Sequence, residues 1–511
     1  MRFVGQDPGR GHALREASLR RRAPSERIEV PIAIVGGGVA GFSAAWRLAR
    51  AGVRDLLMLE LEPAIGGTSR GGSLPRSAYP MGAHYVPVPH PSFVELRTLF
   101  RDLGVELEPG AGDDGLYDPR LVCRGPVERV KHELLWQDGI YPADGQTPDE
   151  EAQWLRWIEH LRALDRRGTD DLRLFDLPVQ RSSRDLRHLD AITMAAYLDE
   201  HGFTSWRLRW AVDYACRDDY GCTLEQTSAF AGLHHFLCRG LEDRHDRMLV
   251  TRAEGNDHLV RAMAERAELG ERLRTETGVL SLDPDEGRLL AWDFGRERML
   301  EVRAEVVLWA APRFVLGAVL PPGRDTAAAS ALTYVPWQVT SLELDRVPSG
   351  LGAPLAWDNV EVGADHLGYV VATHGEPLTE RHRAGTVVTL YEPWTADTPQ
   401  ALSKRRRALS SATLEELGGR AIDSLLHMHP SLRGAVRRVD VVRWGHAMIR
   451  PSPGLLFGRA LQAAAAPIGR VLPCATDVGG LPLFEQAFGQ AVLAAEHALA
   501  RQGHAVQSLR E

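Results

Sequence analysis

The sequence predicts an α/β fold, and three observations carry that reading. Residues 32–35 form a short apolar run of the kind found in a buried parallel strand. Gly36, Gly38 and Gly41 follow at once as G-x-G-x-x-G and open a helix whose apolar face is Phe42, Ala45, Trp46, Leu48 and Ala49. Residues 56–59 make a second apolar run, and Glu60 stands 19 positions beyond Gly41. Strand, glycine turn, helix, strand and acid in that order make a Rossmann-type dinucleotide-binding unit.

Each element of the unit has a physical task. Gly36 permits the tight turn, Gly38 lets the backbone approach a pyrophosphate, and Gly41 lets the helix pack on the strand. Val39 and Ala40 lie in the first turn, where unpaired N–H groups meet phosphate oxygens. The Glu60 carboxylate can accept both ribose hydroxyls.

The remaining composition bounds the rest. At 511 residues the chain exceeds the size at which one core stops growing, so two intertwined domains are expected. With 44% hydrophobic and 25% charged residues it reads as globular. A net charge of -8 argues against a nucleic-acid partner. Five cysteines without a CxxC pair suit a reducing compartment, which implies a cytoplasmic location and no zinc or disulfide framework. No apolar run reaches 18 residues, so no transmembrane segment is expected. Arg20, Arg21 and Arg22 precede an apolar stretch as in an export signal, but that stretch is the glycine unit itself; residues 1–30 therefore read as a flexible arginine-rich lead.

After Glu60 comes "LEPAIGGTSRGG", with a second glycine pair at Gly66 and Gly67. This resembles the E-x5-G-G signature of the flavin-containing amine oxidase and phytoene desaturase superfamily, which includes protoporphyrinogen oxidases. The resemblance implies FAD as cofactor. Many members carry arginine directly after the pair; here Thr68 and Ser69 stand there, and Arg70 follows two positions late as the candidate for the phosphate role. "YPMGAHYVP" (79–87) is similar to the family's flavin-side segment, and "EGNDHLVRAMAE" (254–265) to the helix that returns the chain to the FAD domain. Val279 matches the residue that cradles the adenine. Asp477 matches the acid at the pyrophosphate and ribityl chain, and the helix from about Phe484 aims its first residues, with Glu485, Gln486 and Ala487, at the flavin.

The implied architecture is a Rossmann-type FAD-binding domain built from discontinuous segments, with a mixed-sheet plus helical substrate domain. The FAD-binding parts are 31–90, 251–315 and 441–511. The substrate parts are a helical insertion at 91–250 and a sheet and helix at 316–440.

For chemistry, the resemblance points to a small-molecule substrate that gives up a hydride, and to electrons passed on to O2 or another acceptor. Candidate residues around the flavin are His84 in the flavin-side segment, Trp444 and His446 in "RWGHAMIRPSPG", and Phe484, where many amine oxidases have an aromatic wall. Tyr391 and Trp394 are further aromatics, each of which core packing also explains. Asp358 can bind a second ammonium of a polyamine, or form a turn with Asn359. Asp213, Asp218 and Asp219 read as a solvated or arginine-paired face. His234 and His235 are adjacent and point apart, so no metal site is assigned. The family's amine oxidases use a lysine that holds a water near flavin N5; neither of the two lysines here, Lys131 and Lys404, matches its place. The favoured reading is oxidation of an amine. The alternatives are a desaturase or protoporphyrinogen-oxidase-like enzyme acting on C–C bonds of an apolar substrate, and a flavin-binding protein without turnover. Substrate, acceptor and oligomeric state are left open.

Overall fold

Glu26–Val35 is the spine of the nucleotide-binding half. The structure, a computed structural model, describes residues 1–108, 115–123, 125–168, 173–239, 248–324, 331–375 and 384–510. Glu26–Val35 pairs in parallel with Leu56–Leu59 on one side and Arg298–Trp309 on the other. The seven-stranded sheet runs Leu273–Arg274, Leu56–Leu59, Glu26–Val35, Arg298–Trp309, Arg288–Asp293 and Thr277–Asp283. The seventh strand, Val471–Pro473, pairs in parallel with the far end of Arg298–Trp309. Residues 32–35, 56–59 and 306–308 are buried, as parallel strands covered on both faces require.

Helix Val39–Arg50 packs on the closing helix Phe484–Arg501 and on Asp257–Ala267. Between the first two, Arg47 and Glu496 form a 3.0 Å ion pair with side chains 5% and 8% exposed. A buried pair of this kind fixes how the two helices sit more than it adds net stability. It ties together segments about 450 positions apart in the chain.

A nine-stranded sheet forms the other half, in the order Arg2–Phe3, Val436–Ile449, Tyr334–Leu344, Thr386–Pro393, Tyr369–Val371, Asp358–Glu361, Glu128–His132, Leu135–Asp138, Leu351–Gly352. Successive side chains alternate between its faces. Leu342, Leu344, Val388 and Leu390 face helices Pro399–Ser411 and Leu414–Met428, the second opened by a Thr413–Glu416 capping box. Trp337, Val339, Tyr391 and Val360 face the opposite way, into the large core shared with the nucleotide-binding half. Helices Pro148–Asp165, Met194–Glu200, Trp206–Tyr220 and Ala229–Leu237 complete that side. Among the described residues no helix is long and apolar enough to cross a membrane.

Three expectations change. Residues 1–30 do not form a flexible lead: Arg2–Phe3 is an edge strand, Pro8–Ala13 is helical, and Leu14 is buried against Leu280, Trp292 and Met299. Arginine richness concealed a few apolar anchors spaced along the segment. The boundary at 441 cuts through one strand, Val436–Ile449, which lies wholly in the nine-stranded sheet. The 91–250 insertion is not helical throughout, because the hairpin Glu128–His132/Leu135–Asp138 joins the same sheet.

Candidate active site

The glycine turn and the second glycine pair meet in space. Gly36 has φ +107°, a region open to glycine, and a Cβ at Gly41 would collide with the Gly36 carbonyl oxygen. Gly38 bridges to Gly66, and Gly66 N–H donates to the Gly37 carbonyl at 2.8 Å. Two glycine backbones thus lie side by side, and a Cβ on Gly38 would fall 3.7 Å from the Gly67 Cα. Gly38 caps helix Val39–Arg50 with no side-chain hydrogen bond, so the first-turn N–H groups of Val39, Ala40 and Gly41 are left to a ligand.

Glu60 is 8% exposed and accepts from Gly37 N–H at 2.6 Å and Glu62 N–H at 2.8 Å. Burial nonetheless raises its pKa. Gly67–Ser69 is a 3-10 turn that begins on the second glycine of the pair, and the Thr68 carbonyl receives Ala83 N–H at 2.9 Å. The Arg70 side chain is buried, and its Nε has no hydrogen-bond partner among the described residues. Val279 is buried in the core of the seven-stranded sheet, beside a bulge in its ladder with Arg288–Asp293.

At the other end of the crevice Asp477 is 3% exposed. Its Oδ2 accepts from Arg313 N–H and from the Tyr334 hydroxyl, both at 2.6 Å, while Oδ1 has no hydrogen-bond partner among the described residues. Burial raises the pKa of this carboxyl. Helix Phe484–Arg501 starts without a side-chain cap. The side chains of its first turn are engaged elsewhere: Glu485 pairs with Arg239 at 2.9 Å, and Gln486 accepts from Val179 N–H at 2.9 Å. Glu485 and Gln486 therefore offer a ligand backbone N–H groups only, whereas the Ala487 N–H already donates to the Leu483 carbonyl at 3.0 Å. The glycine cradle, the orphaned Arg70 Nε and the orphaned Asp477 Oδ1 fit a bound FAD, whose phosphates accept and whose hydroxyls donate.

The expected flavin-face residues separate into two groups. Trp444 donates its Nε1–H to the Met81 carbonyl at 2.6 Å, and Tyr391 donates its hydroxyl to Gly82 at 3.0 Å. Both therefore brace the segment that carries His84. His84 stacks on Tyr391 with centroids 4.5 Å apart and touches Trp357 and Tyr85 at 5.3 and 5.1 Å. Desolvation among these rings lowers its pKa to about 4, so it is neutral at neutral pH. His446 lies apart, stacked on Phe314 at 4.3 Å beside Tyr334, whose hydroxyl bonds Asp477. Phe484 is buried in the large core that also holds Trp357, Tyr391 and Trp444.

Beside His84 lie carboxylates. Tyr85 donates its hydroxyl to Asp218 at 3.1 Å, and Tyr214 donates to Asp358 at 3.0 Å. Asp358 is the register partner of Glu128 on the adjacent parallel strand. Burial, together with Asp219, pushes Asp218 up to about 7. Burial, Asp218 and Glu128 push Asp358 well above the usual carboxylate range. Neither Asp218 nor Asp358 has a cationic side chain within ion-pair distance among the described residues. Asp219 differs, because His235 contacts it at 2.6 Å and holds its pKa down.

The reading of Asp213, Asp218 and Asp219 as a solvated or arginine-paired face is thus corrected. Asp213 takes Leu224 N–H at 2.9 Å, and the other two turn inward. Sequence reasoning also missed Tyr85, Tyr214 and Trp357. One signal was available: Tyr214 and Asp218 are four apart on a helix and share a face. His234 and His235 diverge, one to the Asp176 carbonyl and the other to Asp219. Lys131 pairs with Glu361 at 2.9 Å on the helix-covered side of the sheet, and Lys404 is exposed on helix Pro399–Ser411. A surface cleft of about 1170 Å³ opens on that side between Glu361, His366, Trp394, Arg420 and His427; it contains none of the nucleotide-motif residues.

The pattern of the flavin-containing amine oxidoreductases matches residues 39–499. The chain belongs to that family. It is an FAD-dependent oxidoreductase. Its fold is shared with putrescine oxidase solved with putrescine bound, at 14% identity and a TM-score of 0.63 over 93% of this chain and 100% of that one. Cyclohexylamine oxidase from Brevibacterium oxydans IH-35A superimposes with the same TM-score of 0.63, at 15% identity and over 93% of this chain and 100% of that one. Tryptophan 2-monooxygenase from Pantoea agglomerans pv. gypsophilae is 33% identical over 116 residues, 22% of this chain; the match spans about a fifth, 19%, of that relative's length.

Proposed function

We propose that this flavoenzyme oxidises an amine, and that the cluster of His84, Tyr85, Trp357, Tyr391, Asp218 and Asp358 is where the amine binds. The observation that carries the reading is the pair of half-buried carboxylates, Asp218 and Asp358, each hydrogen-bonded by a tyrosine hydroxyl beside aromatic rings and without an ion-pair partner among the described residues. Buried negative charge without a counter-ion is costly, and an ammonium offsets that cost. The rings contribute cation–π attraction to the same charge.

The chemistry FAD supplies when bound is acceptance, at N5, of a hydride from the carbon beside nitrogen. The chain's own residues prepare the donor. An ammonium cannot release hydride, so a proton must leave nitrogen first. Asp218, held near neutrality by burial, is placed to take it, with the Tyr85 hydroxyl orienting the carboxylate. His84 is neutral, adds no repelling charge, and is fixed by stacking and by Thr251, whose hydroxyl donates to its carbonyl at 2.5 Å. Asp358 is the seat for a second ammonium, which favours a diamine or polyamine over a monoamine. Names of structural neighbours, putrescine oxidase and cyclohexylamine oxidase, support amine chemistry in this family. Water then hydrolyses the released imine to a carbonyl compound.

The test is anaerobic mixing of the yellow holoenzyme with diamines, polyamines, monoamines, amino acids and porphyrinogens while flavin absorbance is followed. Loss of colour with amines supports the proposal. Loss of colour with porphyrinogens alone, or with none of the panel, overturns it.

A further inference from the structure

The N-terminal segment passes from one half of the molecule to the other beside the FAD crevice. It starts in the nine-stranded sheet, where Arg2 and Phe3 pair with Asp440 and Val441 and Arg2 grips the buried Asp440 carboxylate at 2.8 Å. Gln6 donates its amide to the Arg443 carbonyl at 2.7 Å, one residue before Trp444. The chain then reaches the nucleotide-binding half at the loop that carries the ribose acid. Asp7 N–H donates to Glu62 Oε1 at 3.0 Å, and Glu62 N–H is itself bound by Glu60. Arg10 pairs with Glu276 at 2.8 Å, and Glu276 N–H donates to the Glu62 carbonyl at 3.1 Å. Leu14 closes the span by packing on Gly278 and Leu61 and burying itself in a small core with Leu280 and Trp292.

Two features of this segment are unexplained by packing alone. Arg10 Nη1 is buried and has no hydrogen-bond partner among the described residues, beside a loop whose acid addresses the ribose. Arg15, five positions further on, sits close enough for its charge to act on His446 in the nine-stranded sheet.

We propose that residues 2–20 are a cofactor clasp: anchored in both halves, they close over the adenosine end of bound FAD and slow its departure, with Arg10 supplying the buried donor. Both anchors must be held at once for the crevice to stay narrow, so release of FAD requires the segment to lift. The clasp is formed by residues outside the family's matched region, which begins at Val39.

The experiment measures FAD release from the full-length holoenzyme by the fluorescence of free flavin after dilution. In Arg10→Gln, and in Arg10→Gln combined with Leu14→Ala, release is expected to quicken at least about tenfold, while the rate of flavin bleaching by dithionite is unchanged. Release within twofold of wild type in both variants overturns the proposal. If the double variant does not fold, hydrogen exchange of wild-type residues 7–20 decides: stronger protection with FAD than without supports the clasp, and equal protection overturns it.

Discussion

Tyr85 donates its hydroxyl to Asp218 at 3.1 Å, and that bond sets the working state of a carboxylate whose pKa burial has pushed up to about 7. The hydrogen bond favours the charged form and therefore holds the pKa lower than burial alone would. If Asp218 takes the substrate's proton, kcat/KM rises with pH through about 7 as the carboxylate ionises. Asp218→Asn is expected to remove that limb and lower kcat/KM by about a hundredfold, within the range for a general base. Tyr85→Phe keeps the limb and moves it to higher pH. A pH–rate profile of the three proteins measures all of this; a limb unmoved in Tyr85→Phe contradicts the assignment.

The same carboxyl leaves a mark on stability. Its pKa is raised in the folded state from 3.8 to about 7, so between those values the folded chain holds a proton that the unfolded chain has lost. Stability from this group is fully present below pH 4 and declines as pH rises through about 7. Three units correspond to about 4 kcal/mol as an upper figure, since neighbouring carboxyls share the effect. Asp218→Asn is expected to flatten the fall in Tm between those pH values. Thermal melts of the apoprotein across the window read the slope free of ligand.

What the sequence made legible follows from range. Gly36, Gly38, Gly41 and Glu60 are spaced by local geometry, so a 30-residue window contains the whole dinucleotide unit. Asp477 was found through resemblance, but its partners Arg313 and Tyr334 come from segments more than 140 positions away, and no local pattern ties them to it. Asp218 illustrates the opposite failure. Three aspartates in seven residues read as solvent-facing because burying them is costly, and the neighbours that make burial tolerable, Tyr85 and His235, lie on other elements. The N-terminal segment was misjudged for a related reason: among the described residues of its first 20, only Leu14 is buried.

At the cofactor, Asp477 serves two masters. It holds the Tyr334 hydroxyl and Arg313 N–H and keeps Oδ1 free. Asp477→Ala strands two buried donors, each costing about 1–3 kcal/mol, and removes the ligand's acceptor. Asp477→Asn keeps the size and part of the bonding. The expected order of flavin occupancy after purification is wild type, then Asn, then Ala, with a lower Tm in the Ala variant even without FAD. Full occupancy in both Asp477→Ala and Glu60→Ala removes these residues from the cofactor site.

Trp444 braces the flavin-side segment from the neighbouring sheet through its 2.6 Å bond to Met81. Trp444→Phe retains most of the buried ring and leaves the Met81 carbonyl without that donor, which costs about 1–3 kcal/mol where water cannot replace it. Because Tyr391 still holds Gly82, the segment should loosen rather than collapse. The expected result is a modest fall in Tm and slower flavin bleaching by substrate, with FAD occupancy intact. Stopped-flow reduction separates this from a loss of binding.

Asp358 separates substrates by charge. It is bonded to Tyr214 and close enough to Asp218 and Glu128 to feel their charge, so a second ammonium placed there relieves like-charge repulsion as well as desolvation. A monoamine needs only one carboxylate. Asp358→Asn therefore should cost a diamine the value of a charged hydrogen bond, about 1.5–3 kcal/mol, or roughly ten- to a hundredfold in kcat/KM. For a monoamine of equal length the change should stay within about threefold, because its single ammonium pairs with Asp218. Steady-state kinetics with a matched diamine and monoamine give the ratio directly. An equal loss for both would mean that Asp358 shapes the site without reading the second charge.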